Sequence, residues 1–257
     1  MPIFYLRRLT GKERNVKSNL HLGMWLAFIA GAMNAGAFLA VKQYTSHVTG
    51  IVSSMADGLA LGDIKFALAG LGALVCFMIG AAVSEILIMW ARNHNLQSEY
   101  ALCLTLEAIL LLAFGVLGEY FHHIMGLFVS WTVMLLCFTM GLQNAIITRI
   151  SNALIRTTHM TGIATDIGIE IGRMCYWNRK VDKEDKSYIR ANRDRLDLFA
   201  ILLAMFIVGG VIGAFGFKYI GYWATVPLAM ILLFLAIVPV IDDIMHHRPQ
   251  LEGNNQK

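Results

Sequence analysis

The chain has 257 residues, 57% of them hydrophobic and only 15% charged, with a formal net charge of +4 and a mean hydropathy of +0.61. A soluble domain is nearer half apolar and a quarter charged, so this much apolar surface points to lipid. Only four prolines and no Gly-X-Y period exclude a Pro-rich disordered chain and a collagen. The expected class is all-α, a polytopic transmembrane helix bundle.

A spanning helix needs about 20 mostly apolar residues to cross ~30 Å of hydrocarbon. A basic head, residues 1–20 with Arg7, Arg8, Lys12, Arg14 and Lys17, comes first. The first candidate span, 22–42, exceeds the 7–15-residue apolar core of a signal peptide and reads as part of the mature chain. Further runs of spanning length fall at 64–91, 100–118, 124–148, 196–217 and 221–241. Their short polar links, 92–99 and 119–123, make the joined helices antiparallel neighbours.

Two stretches fit neither lipid nor simple loop. Residues 43–63 read QYTSHVTGIVSSMADGLALGD, and 149–195 begin RISNALIRTTHMTGIATDIGIEIGR. Each is expected to hold a short, polar, Gly-rich helical segment. A solvated cytoplasmic linker, 174–195, and a loose cytoplasmic tail, 242–257, complete the chain. With six crossings and a cytoplasmic head, 15 of the 21 Lys and Arg lie in the head or in 149–195, as the positive-inside rule expects. An eight-crossing alternative stays open, because 18 helical residues reach about 27 Å.

The chain repeats itself. Gly31-Ala32-Met33-Asn34-Ala35 lies over Gly141-Leu142-Gln143-Asn144-Ala145 at an offset of 110, and Ser46-His47-Val48-Thr49-Gly50-Ile51 over Thr158-His159-Met160-Thr161-Gly162-Ile163 at 112. Phe77-Met78-Ile79-Gly80-Ala81 matches Phe206-Ile207-Val208-Gly209-Gly210. The units are 21–118 and 124–241. Three crossings per unit invert the second copy, a plan that in transporters places binding sites near the midplane, at matching interrupted segments.

The SHVTG of the first half, with the GLQNA, RTTHMTG and TDIG of the second, resembles the YoaK-like family, a bacterial integral-membrane family classed as a domain of unknown function. The resemblance covers roughly 20–241 and implies a bacterial inner-membrane protein with about six helices; six crossings from a cytoplasmic head leave both termini cytoplasmic. Family members often carry an acid where this chain has Asn34.

Candidate site residues follow from the repeat. Asn34, Gln143 and Asn144 stand in spans beside small residues, where an amide bonds across a helix interface or faces a polar pathway. His47 with Thr49 and His159 with Thr161 form a duplicated H-x-T-G. Thr45 or Ser46, and Thr157 or Thr158, suit the N-cap of the following helix; free N–H groups at such a helix start favour anions or carboxylates. Gly50 and Gly162 admit a close backbone or solute. Asp166 and Glu170 share one helix face near Arg173. Glu107 stands mid-span with no Lys or Arg within a turn; intramembrane carboxyls are costly and usually functional. Glu107, His47 and His159 are the proton-coupling candidates.

Cys76, Cys103, Cys137 and Cys175 show neither a disulfide framework nor metal-ligand spacing, and the methionines are scattered; no metal and no cofactor is expected. The basic stretches lie beside apolar spans, so nucleic acid is not an expected partner; the bilayer and an unidentified small solute or ion are, and a homo-oligomer stays open. No nucleophile, base and orienting acid stand at recognised spacing, so the chain is not expected to be an enzyme. The expected function is a secondary transporter or channel, with a membrane-embedded binding, sensor or assembly protein as the alternative.

Overall fold

A computed structural model of the chain describes residues 16–41, 44–96, 98–121, 125–150, 160–176 and 190–254. Among them every regular element is helical. Helix α1 (Val16–Val41) is followed by the short α2 (Val48–Ala60), α3 (Ile64–Asn93) and α4 (Ala101–Phe121); then come α5 (Met125–Ile150), the short α6 (Met160–Cys175), α7 (Arg193–Ile220), a 3₁₀ turn (Gly221–Ala224) and α8 (Thr225–Asn254).

Among the described residues five apolar stretches are long enough to cross a membrane, and the last, Arg193–Ile241, is 49 residues long. That is about 74 Å as one helix, far beyond one crossing. It is broken at Gly221, whose φ of 65° is open to glycine at little cost. Beyond the break α8 runs back along α4: Gly115 faces Thr225 at one end, and the Ser98 N–H donates to Asp243 Oδ2 at 2.9 Å at the other. The described residues therefore form six long traversing helices, and the chain is a multi-pass helical membrane protein. At 13 residues, α2 reaches only about 20 Å, short of the ~30 Å core, which argues against eight crossings; the described part of α6 has 16 residues.

Two boundaries differ from expectation. Helix α1 begins at Val16, inside the basic head. The tail expected to be loose is helical to Asn254, with no glycine before Gly253 to stop it. The rest of the head, and 177–189 of the linker, lie outside the described residues.

The repeat is realised in the packing. Helix α1 packs on α7, and α5 on α3, so each unit lends its first helix to the other unit's third. A Cβ on Gly31 would collide with the Phe206 carbonyl oxygen, and one on Gly209 with that of Phe28; a Cβ on Gly141 would collide with the Phe77 carbonyl oxygen, and one on Gly80 with that of Phe138. All four helices thus carry Phe-x-x-Gly, and each crossing is reciprocal. Only glycine allows backbones so close, the close-packing mode that holds helices together in lipid, and the geometry suits Cα–H···O contacts.

Each crossing joins one central helix, α1 or α5, whose apolar window is 61% buried, to one peripheral helix, α3 or α7, at 22%. The outer faces of α3 and α7 present Leu68, Val75, Ile79, Ile207, Val211 and Phe215 to lipid. The core runs through Ile29, Met33, Leu104, Leu111, Phe114, Met140 and Phe199, all but fully buried.

The caps repeat too. Asp63 caps α3 by accepting from Phe66 N, and Asn192 caps α7 by accepting from Arg195 N. In the first unit Asp63 N donates to the Gly58 carbonyl at 2.8 Å. In the second, Asn192 N donates to Glu170 Oε2 at 2.8 Å. Glu170 occupies the position equivalent to Gly58, so a side chain supplies there the acceptor that backbone supplies in the first unit.

Candidate functional site

After Val41 the chain turns back along α1. Tyr44 stacks on Phe38 at 4.6 Å, and Ser46 Oγ donates to Asn34 Oδ1 at 2.8 Å, with the Ser46 N–H at 3.4 Å. Asn34 lies seven residues before the end of α1, about 10 Å down its axis. The segment therefore re-enters the bundle, and α2 starts within its depth. With Ser46 engaged by Asn34, the expected Ser46 or Thr45 cap does not form. The N-cap is His47, with φ −96° and ψ 72° and no side-chain capping bond, which leaves the first N–H groups of α2 without a side-chain acceptor. Thr45 is buried: its carbonyl accepts from Cys137 Sγ at 3.4 Å, and its Oγ1 has no partner.

The His47 ring folds back over the first turn, where a Cβ on Gly50 would strike Nδ1. Gly50 thus makes room for the imidazole. In the second unit α6 opens on Met160, Thr161 and Gly162. His159, Thr157 and Thr158 lie outside the described residues.

The two helix starts face one cavity of about 1170 Å³. Residues 46–49 and Met160, Thr161, Gly162, Thr165 and Asp166 form its two helix-start walls; Phe77, Ala81 and Glu85 of α3 and Gly141, Asn144, Ala145, Thr148 and Arg149 of α5 form the others. Of the residues expected at the site, His47, Thr49, Asn144, Thr161, Gly162 and Asp166 line it together. Asn34 stands behind the wall, holding Ser46. Gly50 lies beneath His47. Gln143 points away from the cavity into the core, where its Nε2 donates to Glu107 Oε1 at 2.8 Å.

Charge collects at one end of the cavity. Arg149 pairs with Glu85 at 3.4 Å, and Asp166 with Arg195 at 3.6 Å; all four side chains are partly exposed. Deeper on α6, Glu170 is buried and takes Arg173 at 2.7 Å. Asp57, on α2, is exposed. The repeat does not carry this charge across. By the same offsets Thr148, Arg149 and Glu85 correspond to Phe38, Leu39 and Ala214, and Asp166 to Ser54 at an offset of 112.

Sequence reasoning missed the Glu85–Arg149 pair and the Glu107–Gln143 contact, since neither spacing signals proximity. Phe77–Gly80 was matched with Phe206–Gly209, but Phe28 and Phe138, which complete the same Phe-x-x-Gly signal on α1 and α5, were missed. Among the described residues no group of three His, Cys, Asp or Glu could hold a metal ion. Among the described residues the cavity wall offers the hydroxyls of Ser46, Thr49 and Thr161, the Asn144 amide and the His47 imidazole as hydrogen-bonding groups.

Inverted repeats, two half-length helices and a polar cavity between them define a class of polytopic helical membrane protein. Residues 22–238 match the model of the DUF1275 family, described as a protein of unknown function, and the chain belongs to that family. No curated protein and no solved structure matches it.

Proposed function

We propose that this protein is a secondary transporter or channel for a small solute or ion, with its site in the cavity between the two repeats. One observation carries the reading: the starts of α2 and α6, equivalent under the repeat, line the same polar space within the bundle. Discontinuous helices meeting where repeats join are the usual site in transporters of this plan, with helix N-termini turned toward anionic groups of the substrate. The solute class favoured here is therefore small and polar, with a carboxylate or other anionic group.

Orientation follows from charge. Arg92, Arg149, Arg173, Arg193 and Arg195 stand at the end to which the cavity opens, and Lys65 and Lys218 at the other. On this reading, retention of arginine on the cytoplasmic side supports an inward-open form with cytoplasmic termini, set in a bacterial inner membrane. Covalent chemistry is not part of the reading, and a homo-oligomer is compatible with it. The alternative, a membrane-embedded binding, sensor or assembly protein, would use the same cavity without passage.

A thermal-shift screen of the purified protein against inorganic anions and small carboxylates tests the binding step. The reading expects a stabilising ligand whose effect disappears in Asn144→Ala and Thr161→Val. A panel in which no compound shifts the melt, or in which hits survive both substitutions, would contradict it.

A further inference from the structure

Glu107 lies wholly inside the protein, on α4. Its Oε1 accepts from Gln143 Nε2 at 2.8 Å. That leaves one oxygen on each partner, Glu107 Oε2 and Gln143 Oε1, buried without a hydrogen-bond partner. Both are acceptors as long as the carboxyl is ionised, and two buried acceptors left unmatched are expensive. A single proton on Oε2 changes the balance. The acid O–H then has an acceptor in Gln143 Oε1, and acid and amide close the two-bond ring that these groups form readily.

Among the described residues no cation pairs with the acid. Helix α4 packs on α8, α5, α3 and the 3₁₀ turn. Helix α8 has no ionisable side chain from Thr225 to Ile241. On α4 the titratable neighbour is Cys103, one turn earlier and in contact with Ser84 of α3. Next to Ser84, Glu85 is engaged by Arg149. On α5, Cys137 points to the Thr45 carbonyl, and in the 3₁₀ turn Tyr222 sits farther along α4, against Gly118.

The pair also touches the moving parts of the transport reading. Gln143 and Asn144 are consecutive on α5: one holds Glu107 and the other lines the cavity. Gly141, two residues earlier, is the crossing point with α3.

We propose that Glu107 and Gln143 form a proton-binding site at the α4–α5 contact, and that release of this proton to water loosens α5 and changes access to the cavity. The second half of this proposal rests on the transport reading; the proton site does not. The test uses the full chain in lipid nanodiscs. Infrared difference spectra between acidic and alkaline buffer should show a protonated carboxyl band replaced by carboxylate, and Glu107→Gln should lack it. Gln143→Leu, which keeps the acid but removes its ring partner, should shift the band and guards against Glu107→Gln failing to fold.

In a Cys175→Ser background, the maleimide labelling rate of Thr148→Cys should change with pH by up to about tenfold per unit, the limit for one linked proton, after correction for the reagent's own pH dependence. It should be flat when Glu107→Gln is added. No protonated band at any pH, or a band that Glu107→Gln leaves in place, overturns the proton site. A titrating band with pH-independent labelling overturns the coupling alone and leaves the transport reading standing.

Discussion

Glu85 and Arg149 meet at 3.4 Å across the mouth of the cavity, and they come from different repeats. Both are more than a third exposed, so the pair contributes at most about 1 kcal/mol to stability. Its consequence lies in access. Arg149→Ala should move the melting temperature little yet change the labelling rate of Thr148→Cys severalfold. The exchange of both residues, Glu85→Arg with Arg149→Glu, should restore most of that rate.

The Phe-x-x-Gly crossings predict a sharp contrast among glycines. Gly141→Ala drives a methyl into the Phe77 carbonyl, and Gly209→Ala into that of Phe28. Backbone cannot step aside as a side chain can, so each should cost about 1–3 kcal/mol or more. Gly168→Ala on α6 meets nothing within 4 Å and should gain up to about 1 kcal/mol of helix propensity. Chemical denaturation in mild detergent reads the difference.

Gly50→Ala separates site geometry from stability. The added methyl meets the His47 ring first, which swings away at small cost. Melting should barely change, while the imidazole resonance of labelled His47 shifts and affinity for any ligand found by the screen falls. The double variant Gly50→Ala with His47→Ala should bind no worse than His47→Ala alone.

Glu170 predicts a cost that the first repeat does not incur. Glu170→Ala leaves the Asn192 N–H and Arg173 without their acceptor, a loss of about 1–3 kcal/mol. Glu170→Gln keeps an oxygen for Asn192 and should lose less. Hydrogen exchange at the Asn192 amide should rise in the first variant and stay slow in the second.

The sequence carried the repeat because crossing points demand glycine: Gly31 over Gly141 and Phe77–Gly80 over Phe206–Gly209 fix the offsets. What it could not decide was partnership, since all four helices carry the same tetrad and α1 could equally have matched α3. The start of α2 was legible to within one or two residues. The cap moved to His47 because Asn34, twelve positions away, takes Ser46, a tertiary contact that outweighs local capping preference. Glu107 was recognisable as an intramembrane acid, but not its partner, 36 residues on. The charged mouth was hidden for a different reason: Glu85 and Arg149 have no charged counterparts, so the repeat that revealed the rest passed over them.

The central claim is that the space between the starts of α2 and α6 is reached from both sides of the membrane. In a chain whose four native cysteines are serine, Thr49→Cys and Thr161→Cys should each be modified by a small membrane-impermeant thiol reagent added to either face of sealed vesicles, and bound ligand should protect both. Modification of both from one face only, whatever the ligand, would mean a blind binding pocket and would contradict passage through it.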